Sequence, residues 1–166
     1  MRPAIILWDF DGVLADSLRE CYEVTTRVLQ KERQRIGQEA GPRPVPLMPY
    51  SFADFASDRP VCINAADFFC AVLLRMEKKP VEEQGLHAMM EAHPHLIREL
   101  DRVYYGEREA FAGELGDGYE KMLAPYDGVL ETLHALEKKG VRQAVMTARD
   151  SSSVKKWLAH YGVASC

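Results

Sequence analysis

Asp9 and Asp11, two carboxylates two residues apart, stand in Trp8-Asp9-Phe10-Asp11-Gly12-Val13-Leu14-Ala15-Asp16-Ser17 and are the residues best placed to do chemistry. Neighbouring carboxylates either hold a divalent cation or divide nucleophile and acid roles between them. The run before them, Ala4-Ile5-Ile6-Leu7, is apolar, short and β-branched, which predicts one buried strand. The pair therefore leaves the carboxyl end of a strand and turns on Gly12, and open α/β sheets bind ligands at those ends. Two other carboxylate motifs fail. An EF-hand loop from Asp9 needs an acid or amide at Val13 and glycine at Leu14. A glycosyltransferase Asp-x-Asp calls for a nucleotide-binding unit upstream, and only eight residues precede Asp9.

The rest of the chain must position this cluster, and its rhythm changes twice. From Ser17 to about Leu123 the apolar residues recur at helical spacing: Leu18, Cys21, Tyr22, Thr25, Val28 and Leu29, then Ala65 to Met76, then Leu96 to Phe111. Between the first two sets, Gly41-Pro42-Arg43-Pro44-Val45-Pro46-Leu47-Met48-Pro49 forbids a helix and favours an extended connector. After Pro125 a helix capped by Asp127 is predicted to stop at Gly140. A short strand, 141–146, follows and ends in Thr147-Ala148-Arg149. A last helix, capped by Asp150 or Ser151, closes at Gly162. Strand, helix, strand, helix is a parallel α/β rhythm, and a helical block interrupts it after the first strand. The expectation is a partial core of residues 1–15 and 125–166, with an all-helical module over 16–124.

Composition narrows the partners. With 21 Lys and Arg against 25 Asp and Glu, the net charge of −4 argues against a nucleic-acid footprint. The basic run Arg27, Lys31, Arg33 and Arg35 is balanced by Glu20, Glu23, Glu32 and Glu39, and reads as a solvated helix face. Asp9 ends the opening apolar run before it reaches signal-peptide length, and no stretch approaches the ~18 apolar residues of a membrane span. Cys21, Cys62, Cys70 and Cys166 have no Cys-x-x-Cys spacing, which points to reduced thiols in a cytoplasmic protein.

The segment from Asp9 to Ser17 resembles the first motif of the haloacid dehalogenase superfamily, Asp-x-Asp-Gly-(Val/Thr)-Leu-x-Asp-Ser. Its five fixed positions coincide in a random chain of this length on the order of once in 10⁴, so the match is specific. Val145-Met146-Thr147 resembles the second motif, a strand ending in Thr or Ser. The resemblance implies a Rossmann-like core with an incomplete parallel sheet and an inserted helical cap, similar to phosphoglycolate phosphatases and β-phosphoglucomutases. It implies Asp9 as nucleophile, forming an aspartyl phosphate, and Asp11 as the acid and base. It further implies Mg²⁺ held by Asp9 and Asp11, the latter through its backbone carbonyl. Thr147, Ala148, Gly12 and Phe10 would cradle the phosphate, and Arg149 is a candidate substrate contact. Dehalogenases of the superfamily lack the second acid because halide leaves without a proton, so Asp11 points to phosphoryl transfer on a small phosphorylated metabolite.

Two motifs of the family pattern lie later, a lysine and an acidic pair after a third strand. The sequence reaches Val163-Ala164-Ser165-Cys166 where that strand would begin. Lys155 and Lys156 come too soon after Thr147 to replace the lysine. A phosphatase truncated at its C-terminus is expected, paired with itself as a dimer or with the missing segment. The alternative is a short natural product without catalysis, serving as a binding or interaction protein. Arg43 and Arg59 fall in the helical block, where they could face a substrate, and His93-Pro94-His95 reads as a surface helix start.

Overall fold

The computed structural model describes residues 5–39 and 51–163. Its elements run β1 (Ile5–Trp8), α1 (Leu18–Lys31), α2 (Arg33–Glu39), α3 (Phe52–Asp58), α4 (Ala65–Met76), α5 (Glu83–Ala92) and α6 (Pro94–Leu115). After a 3₁₀ turn at Gly116–Gly118 come α7 (Tyr119–Met122), α8 (Val129–Lys138), β2 (Arg142–Val145) and α9 (Ser151–His160). The chain divides into two compact units, Met1–Glu20 with Leu115–Cys166, and Cys21–Glu114.

In the first unit β1 and β2 pair in parallel, with Ile5 opposite Arg142 and Trp8 opposite Val145. A parallel pair needs a long crossover, here the whole stretch between the two strands. The expectation of a buried β1 needs correction. Ile5 and Leu7 are 51% and 56% exposed, while Ile6 and Trp8 on the other face are half-buried. Alternate side chains face opposite ways, and β2 repeats the pattern in register. On the half-buried face, Trp8 Nε1 donates to Gln143 Oε1 at 3.0 Å and Gln143 Nε2 donates to the Leu133 carbonyl of α8 at 3.0 Å.

The helix ends show which turn chemistry prevailed. Gly128 at φ +80°, not Asp127, is the N-cap of α8, because the chain enters the helix through a left-handed residue. At the other end the amides of Gly140 and Val141 return to Glu137 and Leu136. Asp150 caps α9 as expected, accepting from the Ser153 amide at 2.8 Å. Partial burial works to raise the Asp150 carboxyl, but bonds from Ser153 and Ser152 outweigh it and hold it below its ordinary value. A depressed carboxyl stabilises the fold above its unfolded pKa and loses that contribution as pH falls through the folded one. Asp150→Ala is therefore expected to cost about 1 kcal/mol at neutral pH and less in acid, measured by denaturant titration.

Among its described residues the second unit has helices and connectors and no strand. Its centre is α4, where Phe68 to Leu74 are all buried. Asn64 and Asp67 form a reciprocal capping box at its start. Phe55 of α3 stacks on Phe68 with ring centroids 4.1 Å apart. The basic run of α1 and α2 finds partners on α6: Arg27 with Glu114 at 2.8 Å, Lys31 with Glu107 at 2.5 Å and Arg35 with Glu99 at 3.3 Å. Pro94 opens α6, as read from the sequence. Arg59 donates to the Cys62 carbonyl at 3.0 Å, whereas Arg43 and the proline-rich connector lie outside the described residues.

Burial, with the Asp58 and Asp67 charges near Cys62 and Asp67 near Cys70, pushes both thiols up to about 12. At pH 8 only about one such thiol in 10⁴ is ionised, and the thiolate is the reactive form. Both should stay unlabelled by Ellman's reagent in the native protein and react once it is denatured. Rapid native labelling of either, read by mass spectrometry, would contradict this packing.

Candidate active site

The first motif folds as a tight loop. Asp9 follows β1 directly, exposed, with Oδ1 accepting from the Phe10 amide at 2.7 Å. Phe10 is fully buried and its carbonyl collects the amides of Val13, Leu14 and Ala15 at 3.4, 3.0 and 3.0 Å. Gly12 takes φ +81°, the left-handed turn that lets its amide reach the Ala15 carbonyl at 2.9 Å. Residues re-entering the unit hold the loop: the Asp16 amide donates to Ala124 at 2.8 Å and the Tyr126 amide to Leu14 at 3.3 Å.

The second motif arrives by strand register. Beyond β2 the Met146 amide still bonds the Trp8 carbonyl, at 2.8 Å. Asp9 and Thr147 thus emerge at the same end of adjacent parallel strands. The half-buried Thr147 hydroxyl accepts from the Arg149 amide at 3.2 Å, and Ala148 is exposed beside it. A cavity of about 300 Å³ also reaches Thr147, but it lies among Trp8, Val145, Val154 and Leu158 on the helical face of the sheet. Asp9 and Asp11 do not line it, so the candidate site is the rim of the strand ends.

Arg149, which also lines that cavity, turns its guanidinium into a buried cluster. Its side chain is 1% exposed and pairs Nη2 with Asp11 Oδ1 at 2.5 Å and with Glu20 Oε2 at 2.6 Å. Glu20, read from sequence as a solvated charge on α1, is completely buried. Tyr119 of α7 donates its hydroxyl to Glu20 Oε1 and accepts from Arg149 Nη1 at 2.8 Å. Neither Glu20 nor Tyr119 was anticipated. A signal for Glu20 existed: it stands four and eight residues before Val24 and Val28, both fully buried, on one helical stripe. No sequence pattern marks Tyr119.

These positions move the unit boundary. The helical module was expected over 16–124, but Ser17, Glu20, Tyr119 and Leu123 are buried within the first unit. Pairing of Glu20 with Arg149 and of Leu123 with Trp157 draws both junctions toward the sheet.

Mg²⁺ takes hard oxygen donors and keeps several waters. Asp9 fits: it is an exposed carboxylate that commits Oδ1 to one amide. Both Asp11 carboxylate oxygens are engaged by Arg149 at 3.1 and 3.2 Å from Nε. The ligand that the motif resemblance implies at Asp11 is its backbone carbonyl, not this side chain. Among the described residues no group of three His, Cys, Asp or Glu side chains forms a further metal site, and no described helix is long and apolar enough to cross a membrane.

Comparison with known proteins bears on the fold and the family. A structure described as a predicted phosphoglycolate phosphatase from Haemophilus somnus 129PT, at 20% identity, superposes over 98% of this chain with a TM-score of 0.53. At that identity the likeness is one of fold. The chain spans 59% of that protein's length. No curated protein matches the sequence. The family model for haloacid dehalogenase-like hydrolases matches residues 3–166, nearly the whole chain. With its Asp9 loop and Thr147 at neighbouring strand ends, the chain belongs to the haloacid dehalogenase-like hydrolases.

Proposed function

We propose that the chain provides the nucleophile and phosphate cradle of a Mg²⁺-dependent phosphatase acting on a small phosphorylated metabolite. The observation that carries this is the exposed Asp9 carboxylate and Thr147 following the same ends of adjacent parallel strands, with a second acid two residues on. One Asp9 oxygen attacks phosphorus, forming an aspartyl phosphate while the ester P–O bond breaks toward the leaving oxygen. Asp11 gives that oxygen a proton, then takes one from the water that attacks the same phosphorus and restores Asp9. The Thr147 hydroxyl and the Ala148 amide receive the phosphoryl oxygens; the Phe10 and Gly12 amides, the other expected donors, are taken by Asp9 Oδ1 and the Ala15 carbonyl. Asp9 and the Asp11 carbonyl would hold Mg²⁺, whose charge offsets that of the phosphoryl group.

The test is hydrolysis of p-nitrophenyl phosphate by the full-length protein in millimolar Mg²⁺, with and without EDTA. Borohydride trapping should reduce the acyl phosphate and mark Asp9 as homoserine. Turnover lost in EDTA, with the label on Asp9, is the expected result. Turnover without label at Asp9 would refute the nucleophile, and tight phosphate-ester binding without turnover would favour the non-catalytic reading.

A further inference from the structure

A guanidinium has five N–H donors in a rigid fork. In Arg149 every one has an acceptor within this cluster. Nε reaches both Asp11 oxygens at 3.1 and 3.2 Å. Nη1 takes Glu20 Oε1 at 3.2 Å and the Tyr119 hydroxyl at 2.8 Å. Nη2 takes Asp11 Oδ1 at 2.5 Å and Glu20 Oε2 at 2.6 Å. No donor is left over for a substrate phosphate.

Burial gives the cluster an order. Arg149 and Glu20 side chains are 1% and 0% exposed, while Asp11 keeps 29%. A buried carboxylate is tolerated only when paired and hydrogen-bonded, and Glu20 achieves this through Arg149 and Tyr119. The guanidinium also lies over the Phe10 ring, 5.2 Å from its centroid. It is thus held from three sides before it touches Asp11, the one member with access to solvent.

We propose that Arg149, Glu20 and Tyr119 form a buried clamp that aims the Asp11 carboxylate at the leaving group, with Arg149 a positioning residue. Its catalytic consequence rests on the phosphatase reading, while the clamp itself rests on geometry alone. The clamp fixes which way the Asp11 oxygens face, so its loss harms the step in which Asp11 hands over a proton. Phosphate binding is left to the Thr147 hydroxyl and the Ala148 amide.

Two esters on the full-length protein separate these roles through kcat/KM, which covers the departure of the leaving group. p-Nitrophenolate departs with little help from an acid, whereas the alkoxide of β-glycerol phosphate departs only as it is protonated. Arg149→Lys keeps the charge but loses the fork. Because a positioned acid contributes ~10²–10⁴-fold, we expect kcat/KM to fall about 100-fold for β-glycerol phosphate and less than about tenfold for p-nitrophenyl phosphate. Equal losses on both esters, or none, overturn the proposal. Tyr119→Phe removes one hydroxyl and keeps the ion pairs, which guards against an Arg149 variant that fails to fold. It should shift the same ratio in the same direction by about threefold; an unchanged ratio overturns the proposal. Thermal unfolding of Asp11→Asn, Arg149→Lys and the double variant judges the clamp without turnover. Members of one network give non-additive Tm shifts, and additive shifts overturn it. If the wild-type protein hydrolyses neither ester while the shifts still couple, the phosphatase reading falls and the clamp does not.

Discussion

Asp9→Asn in the full-length protein is expected to lower turnover of an aryl phosphate by at least about 10³-fold, because an amide cannot form the acyl phosphate. Asp9 is exposed and keeps its single amide bond to Phe10 at Oδ1, a bond that an asparagine oxygen reproduces. The variant should therefore fold like wild type, and its loss should be one of chemistry. Circular dichroism and the unfolding midpoint provide the control. Residual activity within about threefold of wild type would take Asp9 out of the mechanism.

Trp157→Ala should produce the largest loss of stability, about 3–5 kcal/mol by chemical denaturation. Trp157 is fully buried and meets the Phe10 ring edge-on with centroids 5.2 Å apart. Its Nε1 donates to the Leu123 carbonyl at 2.5 Å. Truncation empties the space beneath the first motif and leaves that carbonyl without its buried donor. Because Phe10 lies between the two candidate carboxylates, the same change should loosen the site. A cost under about 1 kcal/mol would mean that this region is not the core of the first unit.

Local chemistry dictates much of this molecule, and such features are legible without coordinates. The Asp-Phe-Asp-Gly string, the strand before it and the strand that leads to Thr147 all lie where spacing places them. So do α4 and α6, whose apolar residues recur over several turns, and the Asp150 cap, which uses an amide three residues away. Each depends on neighbours in the chain, and the order of the two motifs already implied the parallel pair.

Other features depend on groups far apart in sequence, which no periodicity reports. Asp127 has the chemistry of a cap, yet the backbone turned at Gly128 instead. Ile5 and Leu7 have the character of buried residues, but whether a strand face is covered depends on what packs there. From sequence Arg149 is a candidate substrate contact, and Glu20 one of several acids balancing basic neighbours. Folding brings them together across 129 residues, with Tyr119 thirty residues from Arg149. A charged side chain reads as solvated until the fold provides a partner, and only buried pairing makes its burial affordable. The sequence alone marked the candidate residues and the two strands they follow. The tertiary structure decided which way the charges turned, because pairing and desolvation are properties of the packed chain.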